Sequence, residues 1–165
     1  QGKTFVAAHL ISRINQKTLI VCHNTSILNQ WHRELLKLYP SNTIGMYYGN
    51  KKKDVDIVLA IINSLTSAEF KFRKTILTPL QFFSQFGFSI LDECHEFCGP
   101  KTSKVFNVFS VRYMLGLSAT PDIRQDKFDR IAWNYIGPVV DAEKINGYNK
   151  ENKIFKSLLY AQCCK

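Results

Sequence analysis

No apolar run in this chain of 165 residues approaches the roughly 18 that a membrane-crossing helix needs. The N-terminus shows no signal-peptide pattern either, so neither a membrane partner nor secretion is expected. A disulfide framework is missing too. The five cysteines are odd in number and follow no framework spacing, which implies free thiols in a reducing intracellular compartment, cytoplasm or nucleus. Cys94-His95-x-x-Cys98 has zinc-binding residue types, but no second ligand pair stands at a matching distance. Cys163-Cys164 is a vicinal pair, a poor geometry for a tetrahedral site. Cys94 and Cys98 read instead as small buried residues around a different site. Internal repeats and low-complexity tracts are absent. Acidic residues are scarce, 13 against 22 basic ones, for a net charge of +9. That surplus favours polyanionic partners, nucleic acid first.

What is present is the composition of one packed domain: 45% hydrophobic residues argue against disorder. Apolar runs of strand length alternate with amphipathic helical stretches. This pattern predicts an α/β fold, a mainly parallel central sheet covered by helices. Helix is expected from Thr4 to Asn15 and strand from Thr18 to Cys22. Thr25 or Ser26 can cap the next helix, which puts Ile27, Trp31, Leu35 and Leu38 on one face and stops at Pro40. Trp31 therefore reads as core rather than as a platform for stacking bases. Thr43 to Tyr48 and Ile57 to Ile62 are further strands, with Lys51-Lys52-Lys53 a solvated turn between them. Pro79 to Gln85 suggests a short helix leading into the strand Phe88 to Leu91. Tyr113 to Leu117 is the last clear strand, and Phe128 to Tyr135 reads as helix. From Asn146 the chain is polar and lysine-rich, like a linker.

Three short motifs carry chemistry. Asp92-Glu93 ends the strand Phe88 to Leu91. Two adjacent carboxylates there suit a magnesium nucleotide: one can hold the ion through water while the other polarises the attacking water. Gln1-Gly2-Lys3-Thr4 runs straight into a helix. A phosphate loop needs glycine for close approach of backbone N–H groups, lysine for the β/γ-phosphates and a hydroxyl for magnesium, all at a helix N-terminus. Gly2, Lys3 and Thr4 supply the second half of that pattern, so the chain is expected to start inside the motif. Ser118-Ala119-Thr120-Pro121 follows the strand Tyr113 to Leu117, and its hydroxyls could hydrogen-bond the acidic site. Each motif taken alone is common. Together, in this order and each at the expected end of a strand, they fall where open α/β sheets bind ligands.

The combination resembles the first RecA-like domain of a superfamily 2 helicase. Gly2-Lys3-Thr4 is similar to motif I, Asp92-Glu93-Cys94-His95 to the DExH form of motif II, and Ser118-Ala119-Thr120 to motif III. His23 to Trp31 resembles motif Ia in its Gln30-Trp31 form, and Ile136-Gly137-Pro138-Val139-Val140 resembles the segment that closes this domain in the XPB-like and poxvirus transcript-release helicases. The resemblance implies a three-layer P-loop NTPase fold over residues 1–140. Residues 141–165 would be a linker or the start of a second RecA-like lobe in a parent protein.

It also implies ATP and Mg2+ as ligands. Gly2, Lys3 and Thr4 would bind the nucleotide, with Lys3 on the β/γ-phosphates. Thr4 and, through water, Asp92 would hold magnesium. Glu93 would orient or activate the hydrolytic water, while His95, Ser118 and Thr120 would couple hydrolysis to movement between lobes. Thr25, Ser26, Asn63 and Ser64 would face nucleic acid, DNA before RNA. Ile61 stands where the family pattern has a threonine. The function implied is the ATP-binding lobe of a helicase or translocase, expected to be inactive as 165 residues alone. Two alternatives stay open: the motor lobe of a restriction-type nuclease, and a non-catalytic nucleic-acid-binding remnant of a split gene.

Overall fold

The computed structural model describes residues 3–72, 74–118 and 134–137, and the backbone of 158–163. Helix α1 (Lys3–Ile14) buries Ala7, Ala8 and Ile11. Strand β1 (Thr18–Cys22) is buried at all five positions, as expected for a strand covered on both faces. Helix α2 (Thr25–Leu35) buries Leu28, Trp31 and Leu35, one stripe at helical spacing. Strands β2 (Ile44–Tyr48), β3 (Lys51–Lys52) and β4 (Ile57–Ile61) follow. A hairpin of β5 (Phe70–Phe72) and β6 (Thr75–Leu77) then leads to helix α3 (Pro79–Phe83). Thr78 caps α3 through a reciprocal capping box with Gln81. Strands β7 (Phe88–Asp92), β8 (Tyr113–Ser118) and β9 (Leu158–Cys163) complete the order, with two 3₁₀ segments, Cys94–Cys98 and Ser103–Val108, between β7 and β8.

The seven-stranded sheet runs β3-β2-β4-β1-β7-β8-β9. Its five central strands are parallel, and the two edge strands β3 and β9 are antiparallel. Successive strand residues point to opposite faces, so each strand feeds two cores. On one face Ile20, Leu59, Phe88, Ile90 and Leu115 pack under α1 and α2. On the other, Leu19, Val58, Leu91 and Met114 meet an aromatic cluster that includes Phe70, Phe82, Phe83 and Phe106. This is the expected three-layer α/β architecture. The parallel strands β4, β1, β7 and β8 bring their carboxyl ends to one edge of the sheet.

Several local expectations need correction. Asn24, not Thr25 or Ser26, caps α2, its side chain accepting from the Ile27 N–H at 3.0 Å. Thr25 and Ser26 lie inside the first turn. The helix ends at Leu35 rather than near Pro40, so Leu38 leaves the apolar stripe and is 52% exposed. Lys51-Lys52-Lys53 is not a free turn, because Lys51 and Lys52 pair with β2 and the Lys52 ammonium sits 3.9 Å from the centre of the Tyr47 ring. The β5–β6 hairpin was not foreseen. Of the expected helix Phe128 to Tyr135, residues 128–133 lie outside the described residues, and 134–136 are helical. In the stretch 141–165, residues 158–163 run antiparallel to β8 on the same sheet.

Candidate functional site

Residue by residue, the motifs converge on the carboxyl edge of β7 and β8. Period-two alternation through Phe88 and Ile90 carries Asp92 to the α1/α2 face, where it is 8% exposed. There the indole Nε1–H of Trp31 donates to Asp92 Oδ2 at 2.7 Å. Asp92 Oδ1 is buried with no hydrogen-bond partner. Burial pushes the Asp92 carboxyl above the ordinary carboxylate range, opposed by the Trp31 hydrogen bond and the nearby Lys3 charge.

The next residue turns the chain sharply. Glu93 has φ 52° and ψ 54°, a left-handed conformation unusual outside glycine. Its side chain reaches back to the start of α1 and forms an ion pair with Lys3 Nζ. Glu93 Oε2 also lies 3.5 Å from His95 Nδ1. His95 Nδ1 and Ser118 Oγ share a hydrogen bond of 2.8 Å, which joins the turn after β7 to the end of β8. His95 Nε2 faces Glu96 Oε1 at 3.4 Å. Ser118 is fully buried.

Lys3, Asp92, Glu93, His95 and Ser118 are thus brought together. Thr4 is half-buried in the first turn of α1, a turn that carries no acidic residue. A cationic side chain at a helix N-terminus whose own first turn has no acidic residue is favourable for phosphate once Lys3 exchanges Glu93 for it. Gly2 and Thr120 lie outside the described residues. The nucleic-acid candidates stand apart from this cluster, along the same edge. Thr25 and Ser26 are exposed after β1; Asn63 is exposed and Ser64 half-buried in the 3₁₀ turn after β4.

The donor set fits a magnesium ion. Mg2+ keeps several waters and takes one or two carboxylates together with phosphate oxygens. The unpartnered Oδ1 of Asp92 offers one such hard oxygen. Among the described residues no group of three or more His, Cys, Asp or Glu could hold a metal by itself. Cys94 and Cys98 are buried, and burial, chiefly, pushes the Cys94 thiol up to about 12, so it stays protonated. Trp31 is core, at 3% exposure. Its second role, as a donor to the acidic site, was missed from the sequence, where the one available signal is that alternation groups Asp92 with Phe88 and Ile90.

Residues 1–123 match the family model described as "Type III restriction enzyme, res subunit". Among curated relatives, "Putative ATP-dependent RNA helicase QP509L" of African swine fever virus is 35% identical over 161 residues, covering 91% of this chain and 30% of the relative. "Putative helicase 109L" of Invertebrate iridescent virus 3 is 28% identical over 159 residues, covering 94% of this chain and 46% of the relative. The chain therefore spans less than half the length of these relatives. Among solved structures, the UvsW helicase from bacteriophage T4 aligns with a TM-score of 0.58 at 21% identity, over 79% of this chain and 48% of that one. The Sulfolobus solfataricus SWI2/SNF2 ATPase core in complex with dsDNA aligns with a TM-score of 0.57 at 20% identity, over 80% and 29%. At such identities the likeness shows the fold, that of a helicase RecA-like domain.

Proposed function

The chain belongs to the type III restriction enzyme res-subunit family of helicase domains, and we propose that it is the ATP-binding lobe of an ATP-dependent helicase or translocase of DExH type, in the XPB-like group. The observation that carries this reading is the meeting of Lys3, Asp92, Glu93, His95 and Ser118 at one edge of the sheet, with a buried carboxylate oxygen left over. ATP supplies the phosphoanhydride bond, and bound Mg2+ neutralises phosphate charge. Gly2, Lys3 and Thr4 hold the phosphates, with Lys3 as a point charge on the β/γ-phosphates. Thr4 and Asp92 would hold magnesium, Asp92 through water. Glu93 orients the attacking water and takes its proton. His95, hydrogen-bonded to Ser118, carries the state of Glu93 to the end of β8, and Thr120 belongs to the same relay.

Thr25, Ser26, Asn63 and Ser64 contact the nucleic-acid backbone, which we take to be DNA. The lobe over residues 1–140 works with a second RecA-like lobe, and 141–165 forms the connection, with β9 the part of it that lies on this lobe's own sheet. The printed name of the African swine fever virus relative favours a second reading, in which the track is RNA. The test is phosphate release by the complete protein with matched DNA and RNA oligonucleotides. DNA-stimulated hydrolysis that Lys3→Ala removes, together with nucleotide binding, is expected. Stimulation by RNA alone selects the second reading. Turnover that survives Lys3→Ala would overturn the nucleotide site.

A further inference from the structure

Buried tryptophan needs a partner for its N–H, and most side-chain hydrogen bonds go to backbone or water. Trp31 uses a carboxylate 61 residues away, the one that ends β7. The ring itself is fixed. It belongs to the apolar stripe of α2 with Leu28 and Leu35, both fully buried, against Ile20, Leu59 and Ile90 of the sheet.

An aspartate carboxylate rotates broadly about its last torsion, with two roughly equivalent orientations. One anchored donor on one oxygen removes that freedom. At Asp92 the donor takes Oδ2, and Oδ1 is the oxygen without a protein partner. Indole is a donor only, so it cannot compete for the metal or its waters as a ligand. We propose that Trp31 is a positioning residue: its Nε1–H locks the Asp92 carboxylate so that Oδ1 is presented to magnesium. This rests on the nucleotide-site reading above and assigns to motif Ia a part in the metal site.

The lock also ties that oxygen to α2 as a whole. Ser26 and Trp31 stand five residues apart on one helix, about 7–8 Å along its axis at ~1.5 Å per residue. The helix that presents Thr25 and Ser26 at its exposed start therefore holds the magnesium carboxylate from its second turn.

The experiment replaces one atom group. Benzothienylalanine at position 31 keeps the shape of indole but puts sulfur where the N–H was, and Trp31→Phe removes the donor with part of the volume. Binding of Mn2+ to the complete protein with a non-hydrolysable ATP analogue is followed by electron paramagnetic resonance. Loss of an outer partner of a ligand typically weakens metal binding about 10–100-fold. Both variants should weaken Mn2+ binding to that extent. In steady-state assays the magnesium concentration for half-maximal rate should rise, while kcat returns towards wild type at saturating magnesium. Wild-type metal affinity in the benzothienylalanine protein would overturn the proposal and leave the nucleotide site standing. A fall in kcat that magnesium does not restore would also overturn it. No metal-dependent nucleotide binding by the wild type would overturn both readings.

Discussion

Replacing Glu93 by glutamine separates nucleotide binding from hydrolysis, and the geometry sets both magnitudes. The Lys3–Glu93 pair is about three-quarters buried, with side chains 22% and 28% exposed. A pair that sheltered falls at the upper end of what measured ion pairs contribute, about 1 kcal/mol. Lys3 must leave Glu93 to reach a phosphate. Glutamine keeps the shape and a hydrogen-bond acceptor but drops the charge, so that cost disappears from binding. ATP should therefore bind the Glu93→Gln protein about fivefold more tightly, at 1.4 kcal/mol per factor of ten. Hydrolysis moves the other way. A positioned carboxylate acting on the attacking water contributes about 10²–10⁴ in rate, roughly 3–5 kcal/mol of barrier. Equilibrium titration with a fluorescent ATP analogue reads the first number, and nucleic-acid-stimulated phosphate release by the complete protein reads the second. Near-normal turnover in Glu93→Gln, or weaker ATP binding, would refute the reasoning.

Other consequences concern stability and the nucleic-acid face. Burial holds the Asp92 carboxyl above its ordinary value. A group raised in this way contributes stability below its unfolded pKa that is lost as pH rises through the folded one. Asp92→Asn should thus melt higher than wild type at neutral pH, with the gap closing below about pH 4; calorimetry across pH checks this, and a constant gap would contradict it. A Cβ on Gly116 would lie 3.0 Å from Cys94 Sγ and 3.2 Å from two carbons of Ile136. Gly116→Val should cost about 1–3 kcal/mol by overpacking, read from urea unfolding, and an unchanged midpoint would show that this contact yields freely. Binding to nucleic acid should be electrostatic and indifferent to sequence, each neutralised phosphate adding about −0.7 to −0.9 to the slope of log K against log salt. Two scrambled oligonucleotides titrated across a salt series should behave alike, and a large gap between them would point to a sequence-reading module.

Much of the layering could be read from the chain because it rests on local signals. Thr18–Cys22 and Phe88–Asp92 are short, mainly apolar runs, the mark of strands covered on both faces, and their ends locate the site edge. The errors were local as well. A hydroxyl and an asparagine can both cap a helix, and composition does not choose between Asn24 and Thr25. Leu38 continued the helical stripe on paper, but the chain leaves the helix after Leu35 through the turn of Leu36 to Leu38. The hairpin Phe70–Leu77 has strands of three residues, too short for alternation to declare itself, although Phe70 and Phe72 are buried and Lys71 is exposed. Long-range pairing was the harder part. Nothing near Trp31 in sequence names Asp92, and nothing near His95 names Ser118 as its partner. Those bonds exist because β1, β7 and β8 are parallel neighbours with a common edge.

Backbone strain separates the acid turn from an ordinary charged loop. Among the described residues, only Asn15 and Glu93 adopt positive φ without being glycine. Asn15 follows the last residue of α1, its N–H bonded to the Ile11 carbonyl at 2.9 Å. Asparagine is one of the few residues that visit this conformation readily, and helices commonly end this way. Glu93 has neither excuse. It ends no helix, and its longer side chain makes no capping hydrogen bond to the nearby backbone that would favour the left-handed region. The cost there is of order 1–3 kcal/mol, which glycine would avoid. What the conformation achieves is direction: directly after Asp92 enters the α2 face, the chain swings so that the second carboxylate returns over the strand end, between Lys3 and His95. In an extended continuation of β7, residue 93 would point to the opposite face from residue 92. Two consecutive carboxylates can meet at one face of the sheet edge only if the strand is broken between them, and the left-handed turn at Glu93 is that break. A solvated loop gains nothing from such strain. The proposed site, with Asp92 on magnesium and Glu93 on the attacking water, does.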